Sequence, residues 1–128
     1  MTLNQFKRRI EQAVPVGTVF ENPGGGTSKI AGYSDAKISY VRGTSKIYVT
    51  FKDLFAAYSY FKGQRVSASD LQSFAPAVFD SSAKPAGHAC NCTFLFLLLR
   101  RLNLAGEIEG SGVRGSPYAV KVHDESTL

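Results

Sequence analysis

A chain of 128 residues, 44 % of them hydrophobic, has room for one core and not two, and that apolar fraction argues against disorder except at the ends. The net charge is +5. Residues 28–65 carry Lys29, Lys37, Arg42, Lys46, Lys52, Lys62 and Arg65 against Asp35 and Asp53, a clustering of the kind that meets phosphate. No charged segment followed by an apolar stretch opens the sequence, and its most apolar run, Phe94–Leu99, is far too short to span a bilayer. A cytoplasmic location without membrane contact is therefore expected, with Cys90 and Cys92 reduced.

In chain order, residues 3–14 predict an amphipathic helix. Leu3, Phe6, Ile10 and Ala13 recur at helical spacing, Thr2 and Gln5 match a capping box, and Pro15 supplies a stop. Short β-prone runs follow near 18–21, 28–33, 36–42 and 45–51, divided by Asn22-Pro23-Gly24-Gly25-Gly26, Ser34-Asp35 and Gly43-Thr44. Connections that short imply hairpins and hence an antiparallel meander. Thr50 and Asp53 then form a second capping pattern, ahead of a helix with the stripe Phe51, Leu54, Phe55, Tyr58 and Phe61 that Gly63 ends. A tight turn at Gln64-Arg65-Val66 leads to a helix capped by Ser67 or Ser69, with Leu71, Phe74 and Val78 inward and Pro76 breaking or kinking it. Residues 80–89 read as a loop. The next helix, about 91–102, is apolar on nearly every side. Glu107–Glu109 and Tyr118–Val122 complete a hairpin, and 124–128 form a flexible tail. The expected class is α+β in a single domain over 1–123, with a helix and meander (3–51) joined to a helical half (52–122).

One internal repeat stands out. Gly26-Thr27-Ser28-Lys29-Ile30 recurs as Gly43-Thr44-Ser45-Lys46-Ile47. In an up-down-up meander both copies start at the same end of the sheet, and Arg42 arrives there too. Thr27, Ser28, Lys29, Arg42, Thr44, Ser45 and Lys46 thereby become candidates for a rim that holds phosphate oxygens through hydroxyls, cations and glycine-loop N–H groups. The alternative is that these are ordinary turn residues, with lysines keeping an edge soluble. Tyr33, Tyr40 and Tyr48 lie among the lysines, where they could stack on bases or pack within the sheet.

His88-Ala89-Cys90-Asn91-Cys92-Thr93 is the densest chemical segment. It leads into a helix N-terminus, where the dipole favours an anion. His88, Cys90, Asn91 and Thr93 form a secondary candidate anion site, set against the reading that the cysteines are buried small residues and Asn91 is an N-cap. The spacing differs from that of structural zinc sites, so no metal and no cofactor is expected. No carboxylate pair, Walker loop or catalytic constellation is evident, and an enzyme is not expected.

The order of elements over residues 51–122 resembles a winged helix-turn-helix domain. Residues 52–62 and 68–75 match its first two helices and 91–103 its recognition helix. Leu99-Arg100-Arg101-Leu102-Asn103-Leu104-Ala105-Gly106 is similar to the passage into the wing. Gly110–Gly115, with Arg114 at its tip, resembles the wing itself. The resemblance implies a three-helix unit ending in a β-hairpin, nucleic acid as partner (DNA before RNA), Arg114 as wing contact, and Asn91, Thr93, Arg100 and Arg101 as the polar residues the third helix could present. The apolar run 94–99 departs from that pattern, because such residues do not meet base edges. Either the meander covers this helix or its exposed face binds protein. The expected function is a nucleic-acid-binding module that contacts phosphate through the rim and Arg114. The alternative is a protein-interaction or regulatory module, such as a small regulator or an inhibitor of a mobile element, with a protein partner or a second copy.

Overall fold

In the computed structural model, which describes residues 1–85 and 87–125, Thr2 opens helix α1 (Leu3–Ala13) with the expected reciprocal cap. Its Oγ1 accepts from Gln5 N at 3.1 Å and its N–H donates to Gln5 Oε1 at 2.8 Å. Phe6 and Ile10 are buried on one face, and Phe6 packs against the rings of Phe55 and Tyr58. Leu3 stays on the surface.

The meander follows as β1 (Val19–Glu21), β2 (Thr27–Tyr33), β3 (Lys37–Arg42) and β4 (Ser45–Thr50), antiparallel in that spatial order. Phe20, Ile30, Ile38, Tyr40, Ile47 and Val49 are its buried residues. The two-residue turn Gly43-Thr44 has its positive φ (61°) at Gly43, the first central position, where a twist-matched hairpin turn needs glycine.

Thr50 ends β4 and caps α2 (Phe51–Phe61), accepting from Asp53 N at 3.0 Å. Arg65 and Val66, expected in a tight turn, instead belong to a strand, β5 (Arg65–Ser67). They are extended because a strand from far along the chain pairs with them. Ser67 then caps α3 (Ala68–Phe74) in a reciprocal bond pair with Asp70. Pro76 breaks the helix rather than kinking it, starting α4 (Pro76–Phe79) at its first position. Leu71 is buried and Val78 packs on the core as expected, but Phe74 is 36 % exposed and the fully buried residue after the break is Phe79.

Helix α5 (Cys90–Arg101) buries nine consecutive residues, Asn91–Leu99, as a helix apolar all round must. Phe94 stacks on Tyr40 of β3 with centroids 3.8 Å apart and planes at 8°, and meets Phe20 edge-on at 6.4 Å. The meander's inner face thus covers α5 on one side. On another, the Cys92 thiol donates to the carbonyls of Ala68 and Phe79 at 3.7 Å. The last strand, β6 (Ala119–Lys121), pairs antiparallel with β5. The segment before it contributes only isolated bridges, Ala105↔Val122, Glu109↔Ala119 and, within the arm, Val113↔Ser116, so the expected terminal hairpin is reduced to one strand and a looped arm. Within the expected flexible tail, Glu125 accepts from the Met1 amino group at 2.6 Å and from the Tyr58 hydroxyl at 3.2 Å. Residues 126–128 of that tail lie outside the described residues. No described helix is long and apolar enough to cross a membrane.

Candidate anion-binding site

The two copies of the repeat lie in register on either side of β3. Ser28 and Ser45 both pair with Arg42, Lys29 and Lys46 with Val41, and Ile30 and Ile47 with Tyr40. Cross-strand partners share a face, and successive residues alternate faces. The isoleucines and serines therefore fall on the inner face with Arg42, and the lysines fall on the outer one. Both turns do share one end of the sheet, as expected. The seven candidate residues nevertheless do not point to one place.

Two adjoining cavities occupy that end. The larger, of about 780 Å³, is lined by Asn22, Thr27, Arg42, Ser45, Lys46, His88 and Cys90 together with Gly25, Gly26 and Gly43. The smaller, of about 390 Å³, is lined by Arg42, Cys90, Thr93 and Arg114 and by residues of α3 and the looped arm. Arg42 and Cys90 border both. The rim, the segment before α5 and the tip of the looped arm, far apart in the sequence, therefore meet around Arg42. No carboxylate lines either cavity. Among the described residues the ion pairs involve the Met1 amino group, Lys7 and Arg65, so Arg42, Lys46 and Arg114 are not neutralised by an acid there.

The remaining candidates have other places. Ser28 is buried and donates to Asn22 Oδ1 at 2.7 Å. Lys29 stands exposed on the outer face. Thr44 is exposed in its turn and lines neither cavity. Lys46 borders the larger cavity while its ammonium lies 5.6 Å from the Tyr48 ring centroid. Of the three tyrosines, Tyr40 is wholly buried, and Tyr33 donates its hydroxyl to the Val14 carbonyl. Tyr48, 57 % exposed, is the one open to a partner.

At the entrance to α5, Ala89 holds the cap position and makes no side-chain cap. Asn91 is a buried helix residue rather than a cap. It accepts from the Tyr40 hydroxyl at 2.7 Å and donates from Nδ2 to the Val78 carbonyl at 2.9 Å. Asn91 and Thr93 are thus buried rather than presented on an exposed helix face, and of the two only Thr93 borders the smaller cavity. The N–H groups of Ala89, Asn91 and Cys92 already have acceptors in Ser81 Oγ and the carbonyls of His88 and Ala89. Gly87 in this loop admits no side chain, since a Cβ would stand 2.1 Å from the Asp80 carbonyl oxygen.

Burial, with a lesser contribution from Cys90, pushes the Cys92 thiol up to about 12. It is a neutral hydrogen-bond donor at ordinary pH and no nucleophile. Burial and the bond to Cys90 Sγ at 3.3 Å push the Tyr40 hydroxyl above the usual phenol range. Among the described residues, no group of three His, Cys, Asp or Glu side chains is placed to hold a metal ion.

Asn22 and Ser81, absent from the sequence-based candidates, both line the larger cavity. Asn22 precedes Pro23 and a run of glycines, and reads naturally as a turn former. Its burial arises from the partner Ser28, which the strand register supplies. No family model, curated protein or solved structure matches the chain.

Proposed function

We propose that this domain binds nucleic acid through phosphate contacts around Arg42, with the rim and the looped arm as its two edges. The observation that carries this reading is the pair of adjoining cavities that share Arg42, include Lys46 and Arg114, and contain no acid. Backbone recognition needs cations, hydroxyls and little else.

The order α2-β5-α3-α4-α5-β6, with β5 paired to β6 and the short α4 interposed before α5, supports a winged-helix-like reading of the second half, with residues 110–117 as the wing. Within that reading α5 is the recognition helix by position only, since its buried residues leave Arg100 and Arg101 as its exposed end. Binding is accordingly dominated by charge and shape, with DNA the first partner to test, and the domain acts as a binding module rather than an enzyme.

The test is a fluorescence-anisotropy titration of duplex and single-stranded oligonucleotides against salt. With three cations each displacing a counterion, affinity is expected to fall roughly 40-fold between about 50 and 200 mM salt. Arg114→Ala should flatten the log–log slope by about one unit without altering sequence preference. Binding that ignores salt, or no binding at low salt, rejects the reading.

A second reading, a protein-interaction module, rests on a separate observation. Tyr60 is 62 % exposed and Phe74 36 % exposed, their rings 4.6 Å apart on α2 and α3. Sedimentation across a concentration series tests for self-association through that patch, and Tyr60→Ala should abolish any dimer found.

A further inference from the structure

Asn22 carries the one side-chain nitrogen or oxygen that the described residues bury without a partner. The residue is 7 % exposed, its Oδ1 is occupied by the Ser28 hydroxyl, and its Nδ2 has no acceptor. Buried donors are nearly always paired, and an exception needs an explanation. Asn22 forms part of the wall of the larger cavity. Arg42, Lys46 and His88 border the same cavity, and no carboxylate does. Asn22, Arg42, Lys46 and His88 thus border one cavity from three segments, the β1–β2 loop, the β3–β4 hairpin and the loop before α5, with the Lys46 ammonium turned toward Tyr48 on the outer face.

The geometry points to a seat for a phosphomonoester, the terminal phosphate of a nucleic-acid strand or of a mononucleotide, with Asn22 Nδ2 donating to one of its oxygens. A terminal phosphate offers three unesterified oxygens and close to two negative charges, which suits donors arriving from three directions. A backbone diester offers two oxygens and one charge, and is served by an open cationic edge. The volume of about 780 Å³ lies in the range of small-molecule sites and exceeds what a bare ion fills. The strand-end form of this inference rests on the nucleic-acid reading; the mononucleotide form does not.

The experiment compares oligonucleotides of one sequence bearing a 5′-phosphate, a 3′-phosphate or hydroxyl ends, by anisotropy, alongside thermal shift with adenosine monophosphate and with inorganic phosphate. One phosphorylated end is expected to bind at least about tenfold more tightly than the hydroxyl form. Asn22→Asp keeps the size of the side chain and the acceptor for Ser28, but turns a carboxylate oxygen toward the ligand, and should erase that preference. Arg42→Gln, at a partly exposed site, should shrink it and serves if the Asn22 variant does not fold. Lys52→Gln, remote from the cavity, should leave it intact. Oligonucleotides that all bind equally overturn the phosphomonoester seat and leave the nucleic-acid reading standing. A shift with adenosine monophosphate that Arg42→Gln removes, without any oligonucleotide binding, does the opposite. Indifference to every probe overturns both.

Discussion

Helices α1 and α5 are nearly equal in length, 11 and 12 residues, and opposite in situation. Helix α1 buries Phe6 and Ile10 and turns its charges outward, whereas α5 is enclosed from Asn91 to Leu99. One lies on the surface and could be altered along much of its length. The other is the axis around which the meander and the helical half assemble. The difference explains why the proposed binding is assigned to loops and turns. A helix enclosed this completely stabilises the fold and has no face left for a partner. The cations that could meet one sit where β3 ends and at the tip of the looped arm.

The largest effect is expected where the contrast is strongest. Phe94→Ala removes the ring between Tyr40 and Phe20 and should destabilise the domain by about 3–5 kcal/mol in urea unfolding. A loss below about 1 kcal/mol would mean that α5 is not the centre of the core.

Alkaline pH probes both helices at once. Burial, with Glu11 nearby, pushes the Tyr33 hydroxyl up to about 12, and this group holds the carbonyl of Val14 at the end of α1. Burial and Glu125 push Tyr58, stacked on Phe6, up to about 12. Cys92, beside α3 and α4, reaches about 12 as well. In the unfolded chain these phenols and this thiol ionise at 10.0 and 9.0. The folded state therefore binds their protons more tightly. That contribution is fully present below about pH 9 and is lost as pH rises toward about 12. The urea midpoint should be level below that window and decline within it. A level midpoint up to about pH 11 would contradict this linkage.

The smallest effect belongs to the surface helix. Thr2→Ala removes the acceptor for Gln5 N and should cost about 1 kcal/mol, read by the same unfolding titration. A cost near that of Phe94→Ala would erase the contrast between the helices.

Much of this architecture was legible from short-range signals. The caps at Thr2 and Thr50, the stop at Pro15 and the turn at Gly43-Thr44 act within a few residues, so α1, α2 and the meander followed from local pattern. Strand β5 was not legible, since Arg65-Val66-Ser67 is extended only because Ala119–Lys121 returns to pair with it. Of the site, the rim's location followed from the repeat. The outward turn of Lys29 was also available from strand parity, once Ser28 and Ile30 are set inward. The convergence on Arg42 was not available. It depends on the meander lying across α5, where the Tyr40 hydroxyl touches both Cys90 and Asn91. Asn22 was hidden for a similar reason. Its backbone behaves as a turn former, its carbonyl accepting from Gly25 N at 3.0 Å, and nothing local tells where the amide goes.

Thr50 is at once the last residue of β4 and the cap of α2, so the halves of the chain meet without a linker. A domain joined this way behaves as a calliper locked at one opening. The gap between the meander's turns and the looped arm is thereby fixed, and binding of the proposed partner there demands no further loss of freedom between the halves. Inserting a few glycines after Thr50 would unlock the calliper, turning one fixed spacing into a distribution of spacings.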